Sequence, residues 1–303
     1  MKKIVIAGAG GYLGANVLPT IAKLDGIALF ALSSKEHVVE TEKDANVVFF
    51  KLGMNDYIKA NRILPVKCDF AINFSWIGAR GVNQDEEEVQ KANEENSINL
   101  LKSLIDAGCS KFIQIGSMSE YGVVDGLITE ESECHPITSY ARRKLHCAER
   151  MKEICDESDV DFIEFRMGSM YGNYMEKDNI IGFLCRELMQ GHHVTLKTAC
   201  EQDWEYTHVD DLAEILAKAI QYNTPAGIYN ITNGETRKLK EFIEIIEEKF
   251  GCQNSVTYGE INQGIGCQNI RCDIEKVKRT FHKKKFISFS DGIDSVINSI
   301  GDE

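Results

Sequence analysis

Apolar positions gather in short runs through the first half of the chain, and stretches with helical spacing separate them. The chain opens on Lys2-Lys3-Ile4-Val5-Ile6-Ala7. A continuous apolar run of this kind, closed by glycines, is the pattern of a strand buried on both faces of a parallel sheet. The run predicts a strand over Lys3–Ala7, and similar runs predict strands over Ala28–Leu32, Val47–Phe50, Phe70–Phe74, Lys111–Gly116 and Asp161–Arg166. Between them the apolar positions take the spacing of amphipathic helices, most clearly over Val89–Ala107 and Tyr140–Glu157. Gly108 is well placed to stop a helix before the fifth strand. Strands that alternate with helices predict an α/β fold with a doubly wound parallel sheet. After Arg166 the pattern loosens into helices over Ile180–Gln190, Asp211–Gln221 and Lys238–Phe250, which predicts a smaller C-terminal lobe. Internal repeats and low-complexity linkers are absent from the sequence.

Composition narrows the class. The chain has 303 residues and 43% hydrophobic content, enough for a large core. A formal charge of −13 argues against nucleic acid or an anionic membrane as partner, since both call for clustered Lys and Arg. His282-Lys283-Lys284-Lys285 reads as a solvated turn, and Glu86-Glu87-Glu88 and Glu94-Glu95 as exposed helix faces. No apolar stretch nears the roughly 20 residues that span a bilayer, and a strand that starts within three residues of Met1 leaves no room for a signal peptide. The 10 cysteines are scattered without paired metal-ligand spacing; even Cys267 and Cys272 lack a companion pair. Reduced thiols in a cytoplasmic protein, with no metal site, are the simplest expectation.

The chemistry begins at the first turn. Gly8-Ala9-Gly10-Gly11-Tyr12-Leu13-Gly14 follows the first strand and opens a helix, with Gly8, Gly11 and Gly14 at G-x-x-G-x-x-G spacing. Glycines there permit a tight turn, close approach of backbone to a pyrophosphate, and close helix–strand packing, with the phosphates at a helix N-terminus. This is a Rossmann dinucleotide setting. Further on, Tyr140-Ala-Arg-Arg-Lys144 places a phenol and an ammonium one helical turn apart. A phenol with a pKa of about 10 is a poor base at neutral pH, and a fixed positive charge beside it favours the phenolate. Such a pair is a plausible proton-transfer device. The end of the second strand reads Ala31-Leu32-Ser33-Ser34-Lys35, with no carboxylate before Glu36. An acidic residue there would bond the adenosine ribose hydroxyls. Ser33, Ser34 and Lys35 suit a 2′-phosphate instead, which favours NADP(H), with NAD as the alternative.

Several ordered motifs resemble those of the extended short-chain dehydrogenases/reductases, the nucleotide-sugar epimerase, dehydratase and reductase group. Gly8 to Gly14 resembles that family's glycine signature, and Asp69-Phe70-Ala71-Ile72-Asn73-Phe74-Ser75 its fourth-strand motif beside the cofactor. Asn93 resembles the family's helix asparagine. Ile115-Gly116-Ser117-Met118-Ser119-Glu120-Tyr121-Gly122 resembles the strand that carries the catalytic Ser or Thr, at Ser117. Arg166–Gly172 and Val209-Asp210-Asp211 resemble later landmarks. The resemblance implies a catalytic trio of Ser117, Tyr140 and Lys144. It implies cofactor contacts from Gly8, Gly11, Tyr12, Leu13, Gly14, Ser33, Ser34, Lys35, Phe74, Asn93 and Lys144. It also implies that residues 1–165 and about 206–232 form the dinucleotide-binding domain, with about 166–205 and 233–303 as the substrate-binding lobe. A homodimer through the helices over Val89–Ala107 and Tyr140–Glu157 is the family expectation.

Within the group, dehydratases carry an Asp-Glu pair directly after the active-site Ser or Thr. Here Met118 and Ser119 stand there, and Glu120 is one residue out of register. That leaves NADPH-dependent reduction of a nucleoside-diphosphate 4-keto-6-deoxysugar, with NAD-dependent 4-epimerisation as the alternative. A dinucleotide-binding protein without turnover is a third reading, but it would expect a broken trio. For the substrate, Arg166 matches a family position that is either a contact or structural, and Arg186, Lys197 and Arg271 are candidate diphosphate ligands. Trp204 stands where the family has an Arg, and could stack on a base or anchor the lobe. Met54 takes the place of a family aspartate, and Ser169 that of an asparagine.

Overall fold

The computed structural model describes residues 1–35, 46–64, 67–173, 179–261 and 269–301. The strands β1 (Lys2–Ala7), β2 (Ile27–Ser33), β3 (Val47–Lys51), β4 (Phe70–Asn73), β5 (Lys111–Ser117) and β6 (Asp161–Met167) fall within one or two residues of the runs that predict them. With the edge strand Gly227–Ile231 they make a seven-stranded parallel sheet, ordered from that edge through β6, β5, β4, β1 and β2 to β3. β1 lies centrally, with Ile4 level with Leu29 of β2 on one side and with Phe70 of β4 on the other. The strand order reverses between β1 and β4. In such sheets the crevice beyond the carboxyl ends of the strands at the reversal is where a ligand binds.

The helices are α1 (Tyr12–Ala22), α2 (Ala60–Ile63), α3 (Glu87–Asp106), α4 (Ser139–Glu157), α5 (Ile180–Met189), α6 (Val209–Gln221), α7 (Leu239–Phe250), α8 (Glu275–Thr280) and α9 (Phe289–Gly301). α3 starts with Glu87 and Glu88, whose charges suit a helix N-terminus. α4 starts where the Thr138 hydroxyl accepts the Ala141 N–H at 3.1 Å, a cap that contributes about 1 kcal/mol.

The chain divides into two compact units. The first comprises Met1–Gly122, Cys134–Met167 and Ala213–Tyr229. Its core packs Leu100, Leu101 and Leu104 of α3 and Cys147, Met151 and Cys155 of α4 with Val5, Ala71 and Phe112 of the sheet. Truncating one of these leucines to alanine costs about 2–5 kcal/mol in such a setting. The cysteines of this cluster serve as small apolar fillers, with burial holding the Cys155 thiol up at about 12.

The second unit comprises Val123–Glu133, Gly168–Leu212 and Asn230–Glu303. It carries three short strand pairs, Ser169–Tyr171 with Tyr206–His208, Asp203–Trp204 with Arg237–Lys238, and Val194–Thr195 with Val256–Thr257. Its centre is aromatic: the rings of Tyr171, Tyr206, Phe242 and Phe289 stack edge-on or tilted at 4.8–5.4 Å. A buried ion pair, Lys283 with Asp211 at 2.7 Å, lies in the same unit, so Lys283 is not part of a solvated turn.

Candidate active site

The glycine turn is shaped by what side chains would collide with. Gly8 has φ of +78°, and a Cβ there would lie 2.8 Å from both the backbone N and Oγ of Ser75. A Cβ on Gly14 would overlap the Gly8 carbonyl and lie 2.7 Å from the Ala9 Cα, so α1 rests directly on the end of β1. Gly11 is the N-cap of α1 and makes no side-chain cap bond, and the first turn carries no acidic residue. Tyr12 and Leu13 are the first helical residues. A helix start without a side-chain cap, over a turn no side chain can fill, fits a dinucleotide pyrophosphate.

The end of β2 leans over this turn. Ser33 is buried, and its Oγ accepts the Lys35 N–H at 3.0 Å. A Cβ on Gly10 would strike Ser33 Oγ and come within 3.5 Å of Lys35 Cδ. The Ser33 hydroxyl and the Lys35 stem therefore border the glycine loop, while Ser34 is exposed next to Gly53. Glu36 lies outside the described residues. Met54 packs partly against the core. Three residues on, the buried Tyr57 phenol bonds Ser75, and burial pushes its pKa up to about 12.

At the end of β5 the chain turns through a short 3-10 helix, Met118–Tyr121. Ser117 Oγ sits 2.8 Å from Ser119 Oγ, and Glu120 Oε1 accepts the Ser117 N–H at 2.6 Å. Tyr140, in the first turn of α4, is buried, with its phenol within the influence of the Ser117 hydroxyl. Burial pushes the phenol up to about 12; Ser117 and the charge of Arg80 pull it down, and Glu120 pushes it further up. Lys144 stands one turn further along α4. Its Nζ donates to Ile115 O at 2.5 Å and lies 4.0 Å from the centre of the Trp76 ring. Burial lowers its pKa to about 8, against the nearby charges of Glu120, Cys147 and Glu164. The structure thus brings Ser117 and Tyr140 close together. It gives Lys144 a carbonyl and an indole as partners.

Asn93 reaches from α3 to the segment after β4. Its Oδ1 accepts the Ile77 N–H at 3.0 Å and its Nδ2 donates to Ile77 O at 2.7 Å. It holds backbone beside the site. Phe74, half-buried, follows β4 and donates its N–H to Ala7 O at 3.0 Å.

Below Ser117 lies a buried charge cluster. Arg166 Nε is 3.2 Å from both Glu120 Oε2 and Glu164 Oε2, and all three side chains are nearly inaccessible. A Cβ on Gly116 would sit 2.7 Å from Glu164 Oε1 and 2.8 Å from Glu120 Oε1, so glycine there makes room for two carboxylates. Burial and the charge of Glu164 raise the Glu120 carboxyl well above the usual range. Arg166 is committed to these acids rather than to an open site.

In the second unit, Arg271 donates from Nε to Asp203 Oδ2 at 2.7 Å, and Lys238 pairs with the same carboxylate at 2.8 Å. Lys197 is exposed, Arg186 is half-buried on α5, and the half-buried Trp204 pairs with Arg237 in a short antiparallel strand. Sequence reasoning missed Trp76, Arg80, Gln90 and Tyr57. None stands in a motif; their roles come from neighbours distant in sequence. Among the described residues, no group of three or more His, Cys, Asp or Glu is placed to hold a metal ion, and no helix is long and apolar enough to cross a membrane.

Residues 4–232 match the NAD dependent epimerase/dehydratase family. The chain belongs to that family. It is an enzyme of the extended short-chain dehydrogenase/reductase type. It is 25% identical over 203 residues to dTDP-4-dehydro-6-deoxyglucose reductase of Escherichia coli, a match that covers 66% of this chain and 64% of that protein. Its fold resembles UDP-glucose 4-epimerase from Thermotoga maritima, solved with UDP-glucose, at TM-score 0.88 and 17% identity over 99% of both chains. It also resembles a dTDP-glucose 4,6-dehydratase from Streptomyces venezuelae, solved with NAD, at TM-score 0.86 and 20% identity over 99% of this chain and 97% of that one.

Proposed function

We propose that this enzyme reduces a nucleoside-diphosphate 4-keto-6-deoxysugar at the expense of NADPH. The observation that carries the reading is the Lys35 stem and Ser33 hydroxyl beside Gly10, with no carboxylate between β2 and Lys35 to claim the adenosine ribose hydroxyls. Ser33, Ser34 and Lys35 would hold a 2′-phosphate. Gly8, Gly11, Tyr12, Leu13 and Gly14 would hold the pyrophosphate through backbone N–H groups. Phe74 and the backbone that Asn93 clamps would flank the redox ring, and Lys144 would grip its ribose. NADPH, when bound, supplies the hydride for the carbonyl carbon.

Tyr140 then gives the carbonyl oxygen its proton. A phenol pushed up to about 12 carries that proton at neutral pH, which suits an acid and therefore the reductive direction. A positioned general acid contributes about 10²–10⁴ in rate. Ser117, close to the phenol, would donate a hydrogen bond as charge develops on the same oxygen. Met118 and Ser119 have no acid–base capacity in the positions that the dehydratases fill with Asp-Glu, so water expulsion is not supported. NAD-dependent 4-epimerisation is the second reading, favoured by the epimerase among the solved structures of the same fold. The second unit would supply the sugar-nucleotide contacts. A cytoplasmic homodimer through α3 and α4 completes the proposal.

The test is incubation with NADPH and a panel of nucleotide-linked 4-keto-6-deoxysugars, followed by cofactor absorbance. Stoichiometric oxidation is the expected result. Isomerisation of a nucleotide sugar with catalytic NAD and no net oxidation would replace this reading with the epimerase.

A further inference from the structure

Trp76 lies just past the end of β4, and its ring touches both members of the Tyr140/Lys144 pair. Its centroid is 6.1 Å from that of Tyr140, edge to face, and 4.0 Å from Lys144 Nζ. The indole is not placed by packing alone. Its Nε1–H donates to Gln90 Oε1 at 2.7 Å. Gln90, fully buried on α3, spends its amide nitrogen on Gly78 O at 2.9 Å and Asn83 O at 2.7 Å. One glutamine therefore fixes the ring and two carbonyls of the segment that carries it, and Asn93 fixes Ile77 between them.

Lys144 needs such a partner. The residue is 5% exposed, and Ile115 O accepts a hydrogen bond from one of the ammonium's three N–H groups. The charged groups within reach are Glu120 of the turn after β5 and Glu164 of β6, with the Cys147 thiol on its own helix; Arg80 acts on Tyr140 from the segment after β4. Glu120 and Glu164 offer the flexible four-carbon stem of Lys144 an alternative set of partners. An indole face attracts the same cation.

We propose that Trp76, oriented by Gln90, is a positioning residue that keeps the Lys144 ammonium on the Tyr140 side of α4 and off the Glu120/Glu164 pair. The inference rests on the reading of Tyr140 and Lys144 as the reacting pair, so its test has two arms.

The first arm needs no turnover. Protein labelled with ¹³C at the lysine ε-carbon should show one ε-CH₂ resonance shifted upfield by the ring current, assigned by its loss in Lys144→Arg. The shift should vanish in Trp76→Leu, shrink in Gln90→Leu and persist in Trp76→Phe. A Lys144 resonance at the ordinary lysine position, or one unmoved in Trp76→Leu, overturns the proposal.

The second arm is kinetic. Trp76→Leu should lower kcat about tenfold with the sugar KM within about twofold, and move the upper limb of the kcat–pH profile, while Trp76→Phe restores most of the rate. Equal losses in both variants, or a change confined to KM, overturns it. If Tyr140→Phe proves fully active, the catalytic reading fails, and the resonance arm still decides whether the indole holds the ammonium.

Discussion

The turn after β1 and the segment after β4 flank the same junction in the sheet, and they are built in opposite ways. At the first, precision comes from missing atoms: Gly8, Gly10 and Gly14 leave space that any Cβ would close. At the second, it comes from added ones: Gln90 and Asn93 bury two amides to hold backbone and an indole in place. The first arrangement is written in seven consecutive residues. The second depends on partners 12 to 16 positions apart and on the approach of α4. The glycine side sets how closely a ligand approaches, and the amide side sets where the reacting side chains stand.

Variants should separate the two sides. The largest effect belongs to the reacting group itself. Tyr140→Phe should cut turnover by about 10²–10⁴ with cofactor affinity nearly unchanged, as read by steady-state kinetics and cofactor titration. Gly14→Val should damage the glycine side. Its Cβ would be driven onto the Gly8 carbonyl and the Ala9 backbone, which cannot yield, so loss of measurable cofactor binding and about 1–3 kcal/mol of stability are expected. Asn93→Leu should damage the other side by orphaning both polar groups of Ile77. About 1–3 kcal/mol per group should be lost in a urea titration, with kcat falling more than cofactor affinity. Lys35→Ala should weaken NADPH about tenfold and leave NADH untouched, measured by competition.

The smallest effect is on pH dependence. Lys144 has its pKa lowered from 10.5 to about 8 in the folded protein. Between those values the unfolded chain holds the extra proton, so Lys144 by itself contributes a rise in stability with pH, by at most about 1.4 kcal/mol per unit. Buried thiols such as Cys155 and Cys185, held up at about 12, pull the other way from about pH 8.5, and Tyr57 and Tyr140 join them above about pH 10. The Lys144 contribution is therefore read as the difference between the urea midpoints of the native protein and Lys144→Met across that range.

This contrast also explains what could be read in the sequence. The six strands and the glycine turn were legible because each is carried by a local run or a short motif with a steric reason. The edge strand Gly227–Ile231 is only five residues, too short to show a period. Trp76 and Gln90 are single letters outside any motif, and Arg80, between Gly78 and Gly81, has no motif either. The Glu120/Glu164/Arg166 cluster depends on register: Gln114 stands level with Glu164 and Gly116 with Arg166, and only that pairing joins two distant segments. The expected role of Lys144 beside the phenol was a helical-spacing argument. Spacing puts the two residues one turn apart but does not choose between an indole, a carbonyl and a hydroxyl as the ammonium's partner.

That cluster has an odd tally of charge, two acids against one guanidinium in a place that solvent hardly reaches. With Glu120 retaining its hydrogen, the sum returns to zero and the floor under Ser117 behaves as a neutral plug. Replacing Arg166 would leave two carboxyls there without their cation, and replacing Glu164 would remove a charge that holds the Glu120 carboxyl up and leave Glu120 to pair with Arg166 alone. Either change would tilt the electric field at the serine without altering a single atom that touches substrate.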